Sequence, residues 1–164
     1  MKTKKLLLVM SFLFIITGMG GCDDEEKEYS DYVEGYIVGS FICNKTNKKT
    51  GSAIDKTKRG YCILLNGSKN TAAHWPMDFY TFEFPDGEFS FPNEFLSPDI
   101  DGNNCGPVFF PEESKHVYKI KFSYKILNEL EQIQFVCGSC VAMDQSFPWS
   151  DYKEISLKNI TKLQ

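Results

Sequence analysis

Residues 32–43 read Tyr-Val-Glu-Gly-Tyr-Ile-Val-Gly-Ser-Phe-Ile-Cys. With the two-residue period of a strand, Val33, Gly35, Ile37, Gly39, Phe41 and Cys43 share one face. Two glycines inside such a run predict tight coiling or a bulge, because a strand gives up packing at each glycine unless the backbone must bend or be approached closely. A long first strand of this kind belongs to a sheet that curls on itself.

The flanking sequence supplies further strands. Tyr61-Cys62-Ile63-Leu64-Leu65 is a continuous apolar run, as a strand buried on both faces would be, and Asn66-Gly67 ends it in a turn. Phe79 to Phe84 alternates, and Pro85-Asp86-Gly87 is expected to turn it back into a second hairpin strand over Glu88 to Phe91. Residues 92–111 read as an irregular connection with one short helical turn near Asn93 to Leu96. His116 to Leu127 is the clearest strand, with Tyr118, Ile120, Phe122, Tyr124 and Ile126 opposite Lys119, Lys121, Ser123 and Lys125. Gln132 to Cys137 is expected as the next strand and Tyr152 to Leu163 as the closing one. The apolar phase of the closing strand slips between Leu157 and Ile160, predicting a bulge. Asn44 to Lys58 reads as a polar, lysine-rich loop. No stretch sustains a helical period.

Short strands at this spacing predict a small barrel or sandwich. Their order, with Val33-Glu34-Gly35-Tyr36-Ile37-Val38-Gly39 as the coiled first strand, resembles an OB-fold-like barrel. The expected fold is therefore all-β, a small single-domain antiparallel barrel over residues 32–164, with a Greek-key sandwich as the alternative.

The N-terminus carries an address. Lys2, Lys4 and Lys5 precede the apolar segment Leu6 to Thr17, then Gly18-Met19-Gly20-Gly21 lead to Cys22. The apolar segment would rise about 18 Å as a helix, short of a bilayer core of about 30 Å. The segment resembles a bacterial lipobox, with Met19 where leucine is usual. The run Asp23-Asp24-Glu25-Glu26 after the cysteine is similar to the surface-export signal of Bacteroidota lipoproteins. The resemblance implies a signal peptide over 1–21, a lipidated Cys22 with an acidic tether over 22–31, and attachment to the membrane through acyl chains that contribute about 0.8 kcal/mol per buried CH₂. The expected location is the outer membrane, lipid-anchored at the cell surface, with the periplasmic face as the alternative.

The chain of 164 residues has a formal charge of −4, and three of its lysines fall within the signal, which leaves −7 on the remainder. That acidity argues against a nucleic-acid partner, whose phosphates demand cations. Phe and Tyr number 14 and 8, a composition suited to strands and large buried side chains.

Five cysteines follow Cys22: Cys43, Cys62, Cys105, Cys137 and Cys140. Export favours disulfides, at most two can form within one chain, and sequence does not choose the connectivity. Cys43 and Cys62 read as small buried hydrophobes or a cross-strand pair. Cys137-Gly138-Ser139-Cys140 has the C-x-x-C spacing of redox and zinc sites. No βαβ pattern surrounds it, Pro148 soon ends any helix, and no second knuckle supplements it from His74, His116 or the other cysteines. No cofactor or metal is expected. Asp99-Ile100-Asp101-Gly102-Asn103-Asn104 departs from a calcium loop, with glycine at the fourth position and Phe110 where the glutamate should stand.

No G-x-S-x-G elbow is present, and His74 and His116 read as a loop anchor and a rim residue. Lys45, Lys48, Lys49, Lys56, Lys58 and Arg59 cluster against Asp55 alone, a candidate edge for an acidic ligand or simply a solvated loop. Trp75, Tyr80 and Trp149 have the chemistry to stack on sugars or to fill the core. The function expected is a non-catalytic extracytoplasmic binding module for a glycan or protein partner, using the Lys45–Arg59 and Pro92–Pro111 edges. The alternatives are a thiol-redox or zinc protein built on Cys137 and Cys140, and an accessory or protective subunit of an envelope complex.

Overall fold

The computed structural model describes residues 28–46, 53–56, 59–85, 87, 89–96, 106–136 and 147–163. Nine strands run in chain order: β1 Val33–Phe41, β2 Asn44–Thr46, β3 Ala53–Lys56, β4 Gly60–Leu65, β5 Phe79–Thr81, β6 Val108–Phe109, β7 Lys119–Ile126, β8 Phe135–Val136 and β9 Lys153–Lys162.

β1 pairs antiparallel with both β4 and β7, β4 with β5, and β7 with β9. The ring closes where β5 meets β9 in parallel, through Phe79↔Lys153 and Tyr80↔Glu154. The result is a closed five-stranded barrel, with β6 added beside β1 through Gly39↔Phe109 and Ser40↔Val108. This is the OB-fold-like architecture expected, with one parallel seam, and the closure of the ring sets the sandwich aside.

The glycines of β1 do what their spacing predicts. A Cβ on Gly35 would lie 2.8 Å from the Leu64 carbonyl oxygen, and one on Gly39 2.8 Å from that of Val108. A register shift falls between Ile37 and Gly39. The shift lets Ile37 and Val38 both be buried, in two different clusters. One cluster gathers Val38, Phe41, Cys43, Cys62, Leu64, Met77, Tyr80, Phe82 and Phe147. The other gathers Ile37, Ile63, Phe89, Phe110, Ile120, Phe122 and Ile155, from four of the barrel strands and the segments beside them. β4 alternates between the two clusters and so reads as an unbroken apolar run.

The slip in the closing strand is a bulge. Lys121 faces Thr161 and Ser123 faces Lys158, so β9 carries an extra residue there, and Asn159 takes φ 55°. Asn93–Phe95 forms the expected short helical turn, of the 3₁₀ type.

Three expectations are corrected. β5 stops at Thr81, whose hydroxyl accepts the Glu83 N–H at 3.0 Å, and Phe89 and Phe91 lie outside any strand. They stack on each other and on Phe84 and Tyr118 instead, so ring packing displaced the second half of that hairpin. The strand expected over Gln132 to Cys137 is confined, among the described residues, to β8, which leaves the barrel and pairs with β2. The loop expected over Asn44 to Lys58 holds the β2–β3 hairpin, so a second sheet of order β3-β2-β8 joins the loop after β1 to the loop after β7.

Before β1, Ser30 exchanges hydrogen bonds with Tyr124, its N–H donating to the Tyr124 carbonyl at 2.8 Å and its hydroxyl accepting the Tyr124 N–H at 3.0 Å. Lys125 pairs with Glu28 and with Glu131. Among the described residues, no helix is long and apolar enough to cross a membrane. Cys22 and the acidic tetrad lie outside the described residues.

Candidate functional site

In a barrel of this plan the loops after the first and fourth barrel strands flank the ligand-bearing face. Here those loops are the ones stitched by β2 and β8, and beside them lies a cleft of about 280 Å³. Its apolar lining is Tyr80 from β5, Ile133, Phe135 from β8, Trp149 and Tyr152. Its polar lining is Glu129, Gln132, Gln134, Ser150 and Lys153.

The floor is a ring cluster. Pro148 introduces a 3₁₀ turn over Trp149–Asp151 that inserts Trp149 among its neighbours. The Trp149 ring centroid lies 4.6 Å from Phe41 and from Phe147, 4.9 Å from Phe135 and 5.3 Å from Tyr80. Aromatic pairs at such separations contribute about 0.5–1.5 kcal/mol each beyond burial, so the floor is preorganised. The Trp149 Nε1 is buried without a hydrogen-bond partner, the one such side-chain atom among the described residues.

The wall is held by a buried carboxylate. Glu154 is 2% exposed, and its Oε2 accepts the Ile133 N–H at 2.9 Å. Its backbone oxygen accepts the Leu127 N–H at 3.0 Å. Burial pushes the Tyr80 hydroxyl above the ordinary tyrosine range, and the Glu154 charge adds to the shift, so Tyr80 is a neutral phenol. Burial also raises Tyr152, with Asp151, Cys62 and Asp78 contributing, and its hydroxyl donates to the Trp75 carbonyl at 3.4 Å.

Of the residues singled out from sequence, Trp149 and Tyr80 meet in the cleft. Trp75 does not line it: it packs on Phe147 at 5.4 Å and carries His74 at 4.8 Å, as a loop anchor should. His116 is exposed and its ring meets Tyr36 at 4.7 Å. Lys45 belongs to β2 and faces Phe135 in register. Arg59 is half-buried, with Nη1 donating to the Ser40 hydroxyl at 3.4 Å. Lys48, Lys49 and Lys58 lie outside the described residues, as do Cys105, Cys137, Cys140 and Asp99 to Asn104. Cys43 and Cys62 are both buried, as one of their two readings has it, and they are not paired with each other. Cys62 is a free, fully buried thiol whose pKa burial drives far above the ordinary range, whereas Cys43, 3% exposed, is not a free thiol. Among the described residues no group of three His, Cys, Asp or Glu side chains could hold a metal ion.

Sequence reasoning missed Gln132, Gln134, Tyr152 and Lys153. For the two glutamines the alternation Gln132-Ile133-Gln134-Phe135 was the signal, whereas Tyr152 and Lys153 open the closing strand and carried none. A second, shallower concavity of about 440 Å³ runs along Leu65 to Asn70 and Asp78. Its carboxylate is already committed: Asp78 accepts from the Leu65 N–H at 2.8 Å, the Ser68 hydroxyl at 2.7 Å and the Asn70 amide at 2.9 Å. That set locks a turn and leaves little for a ligand. Compared with protein-family models, curated proteins and solved structures, the chain matches none.

Proposed function

We propose that this protein is a lipid-anchored binding module whose aromatic cleft takes a short, uncharged stretch of glycan. The observation that carries this reading is the composition of the cleft: four aromatic side chains below, and two amides, a hydroxyl and one charge of each sign around them. Aromatic faces stack on the C–H faces of sugar rings, amide and hydroxyl groups bond to sugar hydroxyls, and a rim of balanced charge rewards neither anion nor cation. The volume sits near the lower end of the roughly 300–1,000 Å³ typical of ligand sites, so the cleft suits one or two rings of a longer chain. A nucleic acid would also stack, but it would need more cation than Lys153 provides.

Under this proposal Cys22 holds the module at the outer membrane by its acyl chains, with the cleft facing outward from the cell. Two assays test it. Titration with neutral and acidic oligosaccharides, followed by calorimetry, should show saturable binding of neutral ones, abolished by Trp149→Ala and reduced several-fold by Gln134→Ala. Binding of acidic sugars alone, or neutral binding that survives Trp149→Ala, refutes the cleft reading. Fatty-acid labelling lost in Cys22→Ala, with protease accessibility on intact cells, tests the anchor separately.

A further inference from the structure

We propose that the glycan taken by the cleft is carried on the protein's own membrane, as the headgroup of a neutral glycolipid. This rests on the binding and anchoring reading above and adds where the ligand comes from. The path of the chain before β1 carries it. β1 and β7 run antiparallel, from Val33↔Phe122 to Tyr36↔Lys119, so the chain before Val33 heads toward the C-terminal end of β7. The Ser30 N–H, donating to the Tyr124 carbonyl at 2.8 Å, continues that course. The Tyr29 and Ser156 hydroxyls meet at 3.1 Å. Glu28 reaches the Lys125 ammonium, whose other partner is Glu131 at 2.6 Å.

Glu131 belongs to the turn that forms the cleft wall. It lies between Glu129 and Gln132, which line the cleft, and its second oxygen accepts the Asn128 N–H at 3.0 Å. The Gln132 side-chain amide closes the same turn by donating to the Leu127 carbonyl at 2.9 Å. One ammonium therefore joins the root of the tether to the wall of the cleft. From Cys22 to Glu28 there are six residue steps, at most about 20 Å of extended chain. With acyl chains on Cys22 in the bilayer, the cleft wall stays within about that distance of the headgroups. A glycan rooted in the same leaflet then meets the cleft at a high effective concentration, whereas a soluble one gains nothing from the anchor.

The surface beside the tether's root agrees with this placement. Lys158 Nζ lies over the Tyr29 ring and Lys121 Nζ over the Tyr32 ring, each at 5.3 Å from the centroid. The pairs Lys121↔Thr161 and Ser123↔Lys158 put both lysines on one face of the β7–β9 ladder, since Lys121 and Ser123 are two residues apart. Tyr32 is 55% exposed. Tyrosine rings and long lysine stems settle where apolar and polar layers meet, with the phenol and the ammonium among the headgroups. The tether root, this face and the cleft wall are thus tied together at the end of β7 nearest the anchor.

The test uses the acylated full chain in phosphatidylcholine vesicles, with and without a lipid bearing a neutral disaccharide headgroup. Hydrogen exchange at the backbone amides of residues 132–135 reads occupancy of the cleft. The headgroup lipid should slow exchange several-fold at a bulk concentration where the free disaccharide has no effect, and Trp149→Ala should abolish the slowing. A Gly-Ser spacer of about 20 residues inserted after Glu26 should cut the advantage of the lipid-borne sugar several-fold. Equal slowing by free and lipid-borne sugar, slowing by the free sugar alone, or indifference to the spacer overturns the proposal and leaves the cleft reading standing. Slowing by neither sugar, or slowing that survives Trp149→Ala, overturns both. Should Trp149→Ala fail to fold, the comparison of free and lipid-borne sugar in the wild type still decides.

Discussion

Replacing Gly60 by alanine should unsettle the core through one ring. A Cβ at this position would lie 2.2 Å from Cζ of Phe41 and 2.6 Å from both Cε atoms. Non-bonded carbons rest about 3.5–4.0 Å apart, so the ring must retreat by more than 1 Å. Phe41 has no exposed surface to retreat into. Trp149, Phe82, Tyr80 and Phe135 enclose it at centroid distances of 4.6, 5.2, 5.9 and 6.0 Å. Overpacking of this kind costs about 1–3 kcal/mol, a large share of the roughly 5–15 kcal/mol that holds a domain together. At roughly 3 °C per kcal/mol for a domain of this size, the melting temperature should fall by about 3–9 °C. Urea titration followed by Trp fluorescence measures the loss, with an unchanged m-value showing that the denatured state is not the cause. The cycle with Phe41→Leu, which shortens the ring side chain, identifies the mechanism: Gly60→Ala should cost about 1 kcal/mol less in that background. A Gly60→Ala protein within about 0.5 kcal/mol of wild type, or strict additivity with Phe41→Leu, would refute the steric reasoning.

Other outcomes follow from single contacts. Cys62 should resist thiol reagents in the native protein and react stoichiometrically only on unfolding, since burial keeps it a thiol; rapid native labelling would contradict its burial. Asn159→Val should cost about 1–2 kcal/mol in chemical denaturation while Asn159→Gly stays near neutral, because φ 55° penalises a branched Cβ. The Glu131 carboxyl is held below its usual range chiefly by the Lys125 ammonium and then by the Asn128 N–H, so its contribution is present above the ordinary carboxylate pKa and lost as pH falls through the depressed value. Lys125→Met should flatten the stability–pH profile below about pH 4.5, and an unchanged profile would show the clasp to be inert. Glu154→Ala, which leaves the Ile133 N–H without its acceptor, should cost about 1–3 kcal/mol and weaken the cleft wall, read by denaturation and by Trp149 emission.

The barrel was legible because its decisive signals are local. The glycines of β1, the unbroken run in β4 and the phase slip in β9 each follow from a two-residue period and its interruption. Phe89 and Phe91 misled for the opposite reason: alternation marks a strand only when a partner edge lies beside it, and here the rings of Phe84, Phe110 and Tyr118 hold the side chains instead. β2 and β8 are three and two residues long, too short for any period, and only distant pairing creates them. The cleft was half legible. Tyr80 and Trp149 stood out as large rings, but the residues that turn a core cluster into a binding surface, Gln132, Gln134 and Lys153, are chemically ordinary and acquire their position only when the loop after β7 folds back.

The order in which the strands join has a consequence for the protein's biogenesis. β9, the last ten residues of regular structure, stands between β5 and β7, and its parallel seam with β5 is what turns a curled sheet into a ring. A nascent chain lacking residues 153–162 therefore presents two unsatisfied strand edges and cannot complete its fold, however long it waits. Final folding therefore waits until residues 153–162 are free to pair with both β5 and β7, the two edges that only this strand can join.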